Sequence, residues 1–339
     1  MKIHMDLENN GYDIMIERGI LQRAETELNL NRKVLIVTDS GVPEKYSETL
    51  REKCKEGYIY TIPMGEESKN LKNFESIIKK MLSYGFSRSD CVVAVGGGVV
   101  GDLSGFVASA YMRGIDFYNV PTTLLSQIDS SIGGKVAVDI DGYKNIVGAF
   151  YQPKKVLIDP DVLKTLPKRQ ISNGLAESVK MAITSDAELF EIFEKEDVNE
   201  NIDKIIEKSL NIKKSVVEQD EKETGLRKIL NFGHTIGHAI EKETGFSKYY
   251  HGECVSLGMI PMCSGELRKR LIFILEKLSL PICADFDKSA VVKAITHDKK
   301  VKNGKVSAVF SDCAGTFEIK ETEPEKLGSL LEIICERGK

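Results

Sequence analysis

Hydrophobic positions in the first half of the chain gather into short runs rich in β-branched residues, at 34–38, 58–62, 91–95, 117–120 and 156–158. Runs of this length without polar alternation predict strands buried on both faces, and amphipathic stretches such as 70–83 lie between them. The expectation is a largely parallel, Rossmann-like sheet covered by helices. After about residue 165 the period changes. Long charged stretches at 186–196, 202–218 and 271–278 repeat at helical spacing, with few strand candidates until 307–310. We therefore expect an α/β N-terminal domain over 1–166 with a mostly parallel sheet, then an α-helical C-terminal domain over 167–339, with the active site in the cleft between them.

Composition narrows the choice of partners. The 339 residues carry 47 Lys and Arg against 51 Asp and Glu, a formal charge of −4. That balance lacks the basic excess of a nucleic-acid binder, so any anion should be small and bound locally. No apolar run approaches the roughly 20 residues that span a bilayer, and the start resembles no signal peptide, so a cytoplasmic protein without membrane contact is expected. The seven cysteines are scattered without C-x-x-C spacing, which predicts small core residues rather than disulfides or a thiolate metal site.

Candidate chemistry lies at a few places. The run Gly96-Gly97-Gly98-Val99-Val100-Gly101-Asp102 follows a buried strand and precedes a predicted helix, where backbone N–H groups can approach a pyrophosphate. It fits G-x-G-x-x-G but lies outside a first βαβ unit, and a tight strand-to-helix crossover would need the same small residues. Asp39 ends a strand where a carboxylate can meet a ribose diol, an ending also common in any α/β protein. The Gly65-to-Lys69 loop, with Glu66, can equally serve as a helix cap. His234 and His238 stand i,i+4 on a predicted helix, His251 follows, and Glu177 is a helical carboxylate with Lys180 one turn later on its face. A His/His/Glu set would leave coordination positions open and make a Lewis acid; the alternative is a buried core histidine. Arg113, Lys135, Lys144, Lys180, Lys213, Arg227 and Lys299 recur in these neighbourhoods. Those flanked by Gly or small polar residues, as in Asp129-to-Lys135, read as loop positions converging on an anion, while Lys213 fits a solvated helix face equally well.

Taken in order, Gly65-Glu66-x-x-Lys69, Gly96-to-Asp102, Tyr111-Met112-Arg113-Gly114, Pro121-Thr122-Thr123-Leu124-Leu125-Ser126-Gln127-x-Asp129, Gly133-Gly134-Lys135, Lys144-Asn145, Ala176-Glu177-x-x-Lys180, Asn231-Phe232-Gly233-His234-x-x-Gly237-His238 and His251-Gly252-Glu253 closely resemble the 3-dehydroquinate synthases over nearly the whole chain. The resemblance implies an NAD-binding α/β domain, an α-helical metal-binding domain and a homodimer. It implies Glu177, His234 and His251 as ligands of zinc or cobalt. NAD would lie against Asp39, Glu66, Lys69, Gly98, Val99, Val100, Gly101, Asp102, Thr122, Thr123, Lys135 and Lys144. Substrate contacts would come from Arg113, Asp129, Lys135, Asn145, Lys180, Lys213, Arg227, Asn231, His238 and Lys299.

The implied reaction belongs to the shikimate pathway of aromatic amino acid and chorismate biosynthesis. A seven-carbon keto-acid phosphate is oxidised by NAD, loses phosphate, is re-reduced and closes by an aldol step, which makes the enzyme a lyase without net redox change. Three departures from the family pattern stand out: Met64 where Asp often precedes Gly-Glu, Gly41 where Asn often follows the strand-ending Asp, and a shorter stretch between His251 and Asp298. Two enzyme classes compete. One is a sister sugar-phosphate cyclase, against which Lys213, Arg227, Asn231 and Lys299 form a set suited to a carboxylate and a phosphate. The other is a glycerol-dehydrogenase-like enzyme, which would not need so many basic residues for a neutral alcohol. A non-catalytic NAD-binding scaffold is disfavoured because no ligand or base position is substituted.

Overall fold

A computed structural model describes residues 1–8, 10–223, 225–246, 248–296 and 304–335. The chain divides into two units, Met1–Pro167 and Lys168–Lys339. In the first unit, β1 (Lys2–Met5) and β2 (Tyr12–Ile16) form an antiparallel pair that the sequence reading passed over, although Lys2-Ile3-His4-Met5 alternates polar and apolar and buries every second residue. The short α1 (Ala24–Glu27), β3 (Lys33–Asp39), α2 (Glu44–Glu52), β4 (Glu56–Ile62), α3 (Leu71–Ser83), β5 (Cys91–Gly96), α4 (Gly98–Ala110) and β6 (Asp116–Pro121) follow. A hairpin of β7 (Lys135–Ile140) and β8 (Tyr143–Phe150) precedes β9 (Lys155–Ile158).

Among the described residues, seven strands pair in the order β1-β2-β9-β6-β5-β3-β4, parallel from β2 onward. The reason β5 lies inside the sheet, between β6 and β3, is visible in its composition: Cys91-Val92-Val93-Ala94-Val95-Gly96 is buried at every position. Successive side chains point to opposite faces. Val92 and Ala94 therefore join Leu35, Val37, Ile77, Met81, Leu103 and Val107 in one core. Cys91, Val93 and Val95 join Val34, Ile36, Ile20, Leu50 and Val162 in the other. Parallel strands all end at one edge of the sheet, so the ends of β3 and β5, which are neighbours, bring Asp39 and the glycine turn to the same edge. Helix α3 starts where Asn70 accepts a hydrogen bond from the Asn73 N–H at 2.9 Å, so the cap falls just beyond the Gly65-to-Lys69 run.

The second unit contains α5 (Lys168–Ser185), α6 (Ala187–Lys195), α7 (Ile202–Gln219), α8 (His234–Glu243), α9 (His251–Met262), α10 (Gly265–Lys277) and α11 (Lys288–Thr296). After these come the hairpin β10 (Val306–Phe310) and β11 (Glu318–Thr322), then α12 (Pro324–Leu330) and α13 (Glu332–Cys335). The unit is thus helical with one added hairpin, whose second strand is nearly all exposed and polar and carries no apolar period to read. Small residues let the central helices approach closely. A Cβ on Gly252 would run into the Asn173 carbonyl of α5, and one on Gly258 into the Gly233 carbonyl that opens α8. No helix of the described residues is long and apolar enough to cross a membrane. Cysteine burial is mixed: Cys91, Cys254 and Cys263 are buried, but Cys283 and Cys313 lie exposed in irregular segments, which corrects the reading of all seven as core.

Candidate active site

In the first unit the glycine turn sits between β5 and α4. The first N–H groups of a helix have no intrahelical acceptor. Gly98, Val99 and Val100 therefore present donors at a positive helix end, whereas the Gly101 N–H already donates to the Gly97 carbonyl at 3.0 Å, with Asp102 next to it. Thr122 is buried and donates its N–H to the Gly96 carbonyl at 2.9 Å, while Thr123 Oγ accepts from the Ser126 N–H at 3.1 Å. Asp39 accepts from the Gly41 N–H at 2.7 Å, and burial pushes its carboxyl up. Two of the departures meet here, since a Cβ at Gly41 would collide with Met64 Sδ. The glycine turn and a strand-ending carboxylate at one sheet edge suit a dinucleotide.

Lys69 is almost fully buried and reaches Glu66 at 2.7 Å, Asp102 at 3.4 Å and Asp139 at 3.9 Å. Burial opposes its charge, but Asp102 and Glu66 outweigh that and push its pKa above the lysine range. Burial drives the Asp102 carboxyl up to about 6 against the pull of Lys69. Asp139 is a residue that sequence reasoning passed over. Its N–H donates to the Lys69 carbonyl at 2.8 Å and its carboxylate accepts from the Asn145 N–H at 2.7 Å, where Asn145 adopts a left-handed φ of 54°.

Lys135 is the first residue of β7, and Lys144 and Asn145 belong to β8, so these positions are strand rather than the loop expected around Gly133-Gly134. Lys135 and Asn145 are exposed and Lys144 is half-buried. Asp129 stands half-buried in a single π-helical turn, Ser126–Ser130. Arg113 is exposed and follows Met112 through two left-handed backbone positions, φ 48° and 70°.

In the second unit α5 buries Glu177 completely and pairs it with Lys180, itself only 2% exposed. Glu177 Oε1 lies 3.4 Å from His234 Nε2 and 3.3 Å from His251 Nε2, so residues distant in sequence converge. Both carboxylate oxygens are fully buried, Oε2 against the Lys180 ammonium and Oε1 against the two imidazoles. Burial would raise this carboxyl, but the Lys180 charge and the two imidazoles hold it well below the usual range. The His234 Nδ1 lies 3.1 Å from the Phe232 carbonyl. A carbonyl only accepts, so that nitrogen carries the proton and Nε2 keeps its lone pair toward Glu177. Burial pushes His234 down to about 3. Burial also opposes charge on His251, yet hydrogen bonds to Glu177 and Glu241 push it up to about 10. The His238 ring is 5.0 Å from that of His234 and 5.5 Å from that of His251. Candidate ligand atoms of the three histidines lie within 4.8 Å of one another. A buried carboxylate whose Oε1 faces two imidazole Nε2 atoms, with a third histidine alongside, is a donor set that fits a divalent cation, which would take the place of the proton His251 now holds.

Lys213 is buried on α7, which removes the solvated-face alternative. Arg227 and Asn231 share the short turn Leu226–Asn231, which packs against α5 and α7. Arg227 is 2% exposed and donates from Nη1 to the Glu221 carbonyl at 2.5 Å, and Asn231 donates to Glu223 at 2.8 Å. Lys299 lies outside the described residues. Glu241, also overlooked, faces His251 at 3.4 Å. Its spacing from His234, seven residues along α8 and so on the same face, is a signal that a helical reading contains.

An α/β unit with a nucleotide-type glycine turn and a helical unit with a buried carboxylate–histidine cluster define the class: the fold is that of the sugar-phosphate cyclases. It matches 2-epi-5-epi-valiolone synthase from Streptomyces hygroscopicus with a TM-score of 0.88 at 25% identity, over 98% of this chain and 99% of that one. A probable glycerol dehydrogenase from Sinorhizobium meliloti matches less well, at 0.62 and 14% identity over 96% of each chain. The models of the 3-dehydroquinate synthase N-terminal and C-terminal domains match residues 59–173 and 174–301. The 3-dehydroquinate synthase of Campylobacter concisus is 42% identical over 333 residues, covering 94% of this chain and 95% of that protein. That of Alkaliphilus metalliredigens is 41% identical over 354, covering 97% and 98%. The chain belongs to the 3-dehydroquinate synthase family.

Proposed function

We propose that the chain converts 3-deoxy-D-arabino-heptulosonate 7-phosphate into 3-dehydroquinate and inorganic phosphate, with NAD as a recycled cofactor and zinc or cobalt held by Glu177, His234 and His251. The observation that carries the reading is Glu177, fully buried, with two imidazole Nε2 atoms at 3.3 and 3.4 Å from the same carboxylate oxygen. When bound, the metal supplies a Lewis acid and NAD a hydride acceptor that later returns the hydride. The 2-epi-5-epi-valiolone synthase, which shares this fold, was solved with NAD+ and Zn2+ bound.

The remaining work falls to the chain's own groups. The Gly98, Val99 and Val100 N–H groups receive the pyrophosphate beside Gly101, Asp39 the ribose, and Glu66, Lys69, Asp102, Thr122, Thr123 and Lys144 shape the rest of the cofactor site. Arg113, Lys135, Lys180, Lys213, Arg227 and Lys299 hold the substrate's phosphate and carboxylate, while Asp129, Asn145, Asn231 and His238 hydrogen-bond its hydroxyls. Their bonds fix the substrate so that elimination occurs in place. The protein works as a cytoplasmic homodimer, and exposed Tyr143, Ile146 and Phe150 on β8 are apolar surface for a second copy to cover.

The test is direct. Given the heptulosonate phosphate, NAD and a divalent metal, the protein should release phosphate and 3-dehydroquinate in equal amounts. Turnover of a sugar phosphate lacking the carboxylate, with no turnover of the keto acid, would assign it to a sister cyclase instead.

A further inference from the structure

His251 is the first residue of α9, where no preceding helical turn supports its side chain. Its backbone is pinned from α5 instead. Buried Asn173 accepts from the Gly252 N–H at 2.7 Å. Arg169 forks onto Glu253 at 2.7 and 2.8 Å, and Glu253 in turn accepts from the Tyr250 N–H at 2.8 Å. With Cα held, what remains free is the rotation of the imidazole and the choice of which nitrogen carries its proton.

One side chain addresses both. Glu241 on α8 is 7% exposed, and its Oε2 lies 3.4 Å from His251 Nδ1, while the Nε2 of the same ring lies 3.3 Å from Glu177. We propose that Glu241 is the positioning carboxylate of the metal site, accepting the Nδ1 proton of His251 so that Nε2 presents its lone pair beside Glu177 and His234. This rests on the reading of Glu177, His234 and His251 as ligands. An ionised carboxylate only accepts, so a hydrogen bond from Nδ1 selects that tautomer and orients the ring in one step. The arrangement at His234 is the same in kind, with the Phe232 carbonyl 3.1 Å from Nδ1 in place of a carboxylate. The two imidazoles are thus oriented by different means: His234 by its own backbone turn, and His251, at a helix start, by a side chain from another helix.

The experiment uses the full chain as Glu241→Gln and Glu241→Ala. Zinc affinity is measured by competition with a chelator, and the visible spectrum is recorded after Co(II) loading. Circular dichroism and thermal unfolding report on the fold. Wild-type protein that takes up no metal removes the ligand reading itself. If wild type binds, Glu241→Ala should bind zinc about 10–100-fold more weakly, with an altered Co(II) spectrum and an unchanged fold. Glu241→Gln keeps an acceptor oxygen and should lose less affinity, but still shift the spectrum because the charge behind the imidazole is gone. Should the alanine variant fail to fold, the glutamine variant decides. Wild-type affinity and spectrum in the folded variants overturn the proposal and leave the ligand assignment standing.

Discussion

Lys69 is a buried ammonium among Glu66, Asp102 and Asp139, and the balance of burial against attraction there has a consequence for stability. Asp102 is raised from 3.8 to about 6, so between those values the folded chain holds a proton that the unfolded chain has released. Stability from this group is therefore present below about pH 4, falls as pH rises to about 6, and is constant above. The expected loss is on the order of 3 kcal/mol, because each tenfold change in proton affinity corresponds to about 1.4 kcal/mol. It is measured as the difference in unfolding free energy between wild type and Asp102→Asn across that range. A difference that stays flat from pH 4 to 6 would contradict it. Little of this hub was legible beforehand. Glu66 and Lys69 stand in a recognisable motif, but nothing local marks Asp139 as their neighbour, because β7 meets the 65–70 loop through contacts distant in sequence, the isolated pairing of Asn70 with Asp139 among them.

Between α8 and α9 the decisive feature is close approach. A Cβ at position 258 would meet the Gly233 carbonyl and, at 2.8 Å, the Gly237 nitrogen, all backbone atoms that cannot turn aside. Gly258→Ala gains about 1 kcal/mol of helix propensity. Overpacking costs about 1–3 kcal/mol, more where backbone must shift, and wins here. The variant should unfold at lower urea concentration and bind zinc more weakly, because separating the helices moves His251 away from His234 and Glu177. Wild-type values in both measurements would show that the contact relaxes without effect. Helical spacing announced the His234–His238 and Glu177–Lys180 faces. Strand β8 escaped notice because Tyr-Lys-Asn-Ile-Val-Gly-Ala-Phe has no clean alternation and leaves all of its residues exposed or half-exposed.

For the whole molecule, the proposed cycle takes a hydride from the substrate and returns it within one turnover, so NAD behaves as a catalyst. With NAD at about a hundredth of the substrate, phosphate release should run to completion while NADH absorbance stays near the level of enzyme-bound cofactor. NADH rising in proportion to substrate consumed would replace the cyclase with a net dehydrogenase. A largely parallel sheet follows from local composition, since an uninterrupted apolar run such as β5 has nowhere stable to go except a position covered on both faces. The same local information set the change to helices after residue 165, and the ordered motifs carried the family. What only the tertiary structure decided is which distant residues meet. Glu177 with His234 and His251, Lys69 with Asp139, and Glu241 with His251 are contacts between separate elements. They depend on how closely backbones approach and which rotamers packing permits, quantities that no period along the chain encodes.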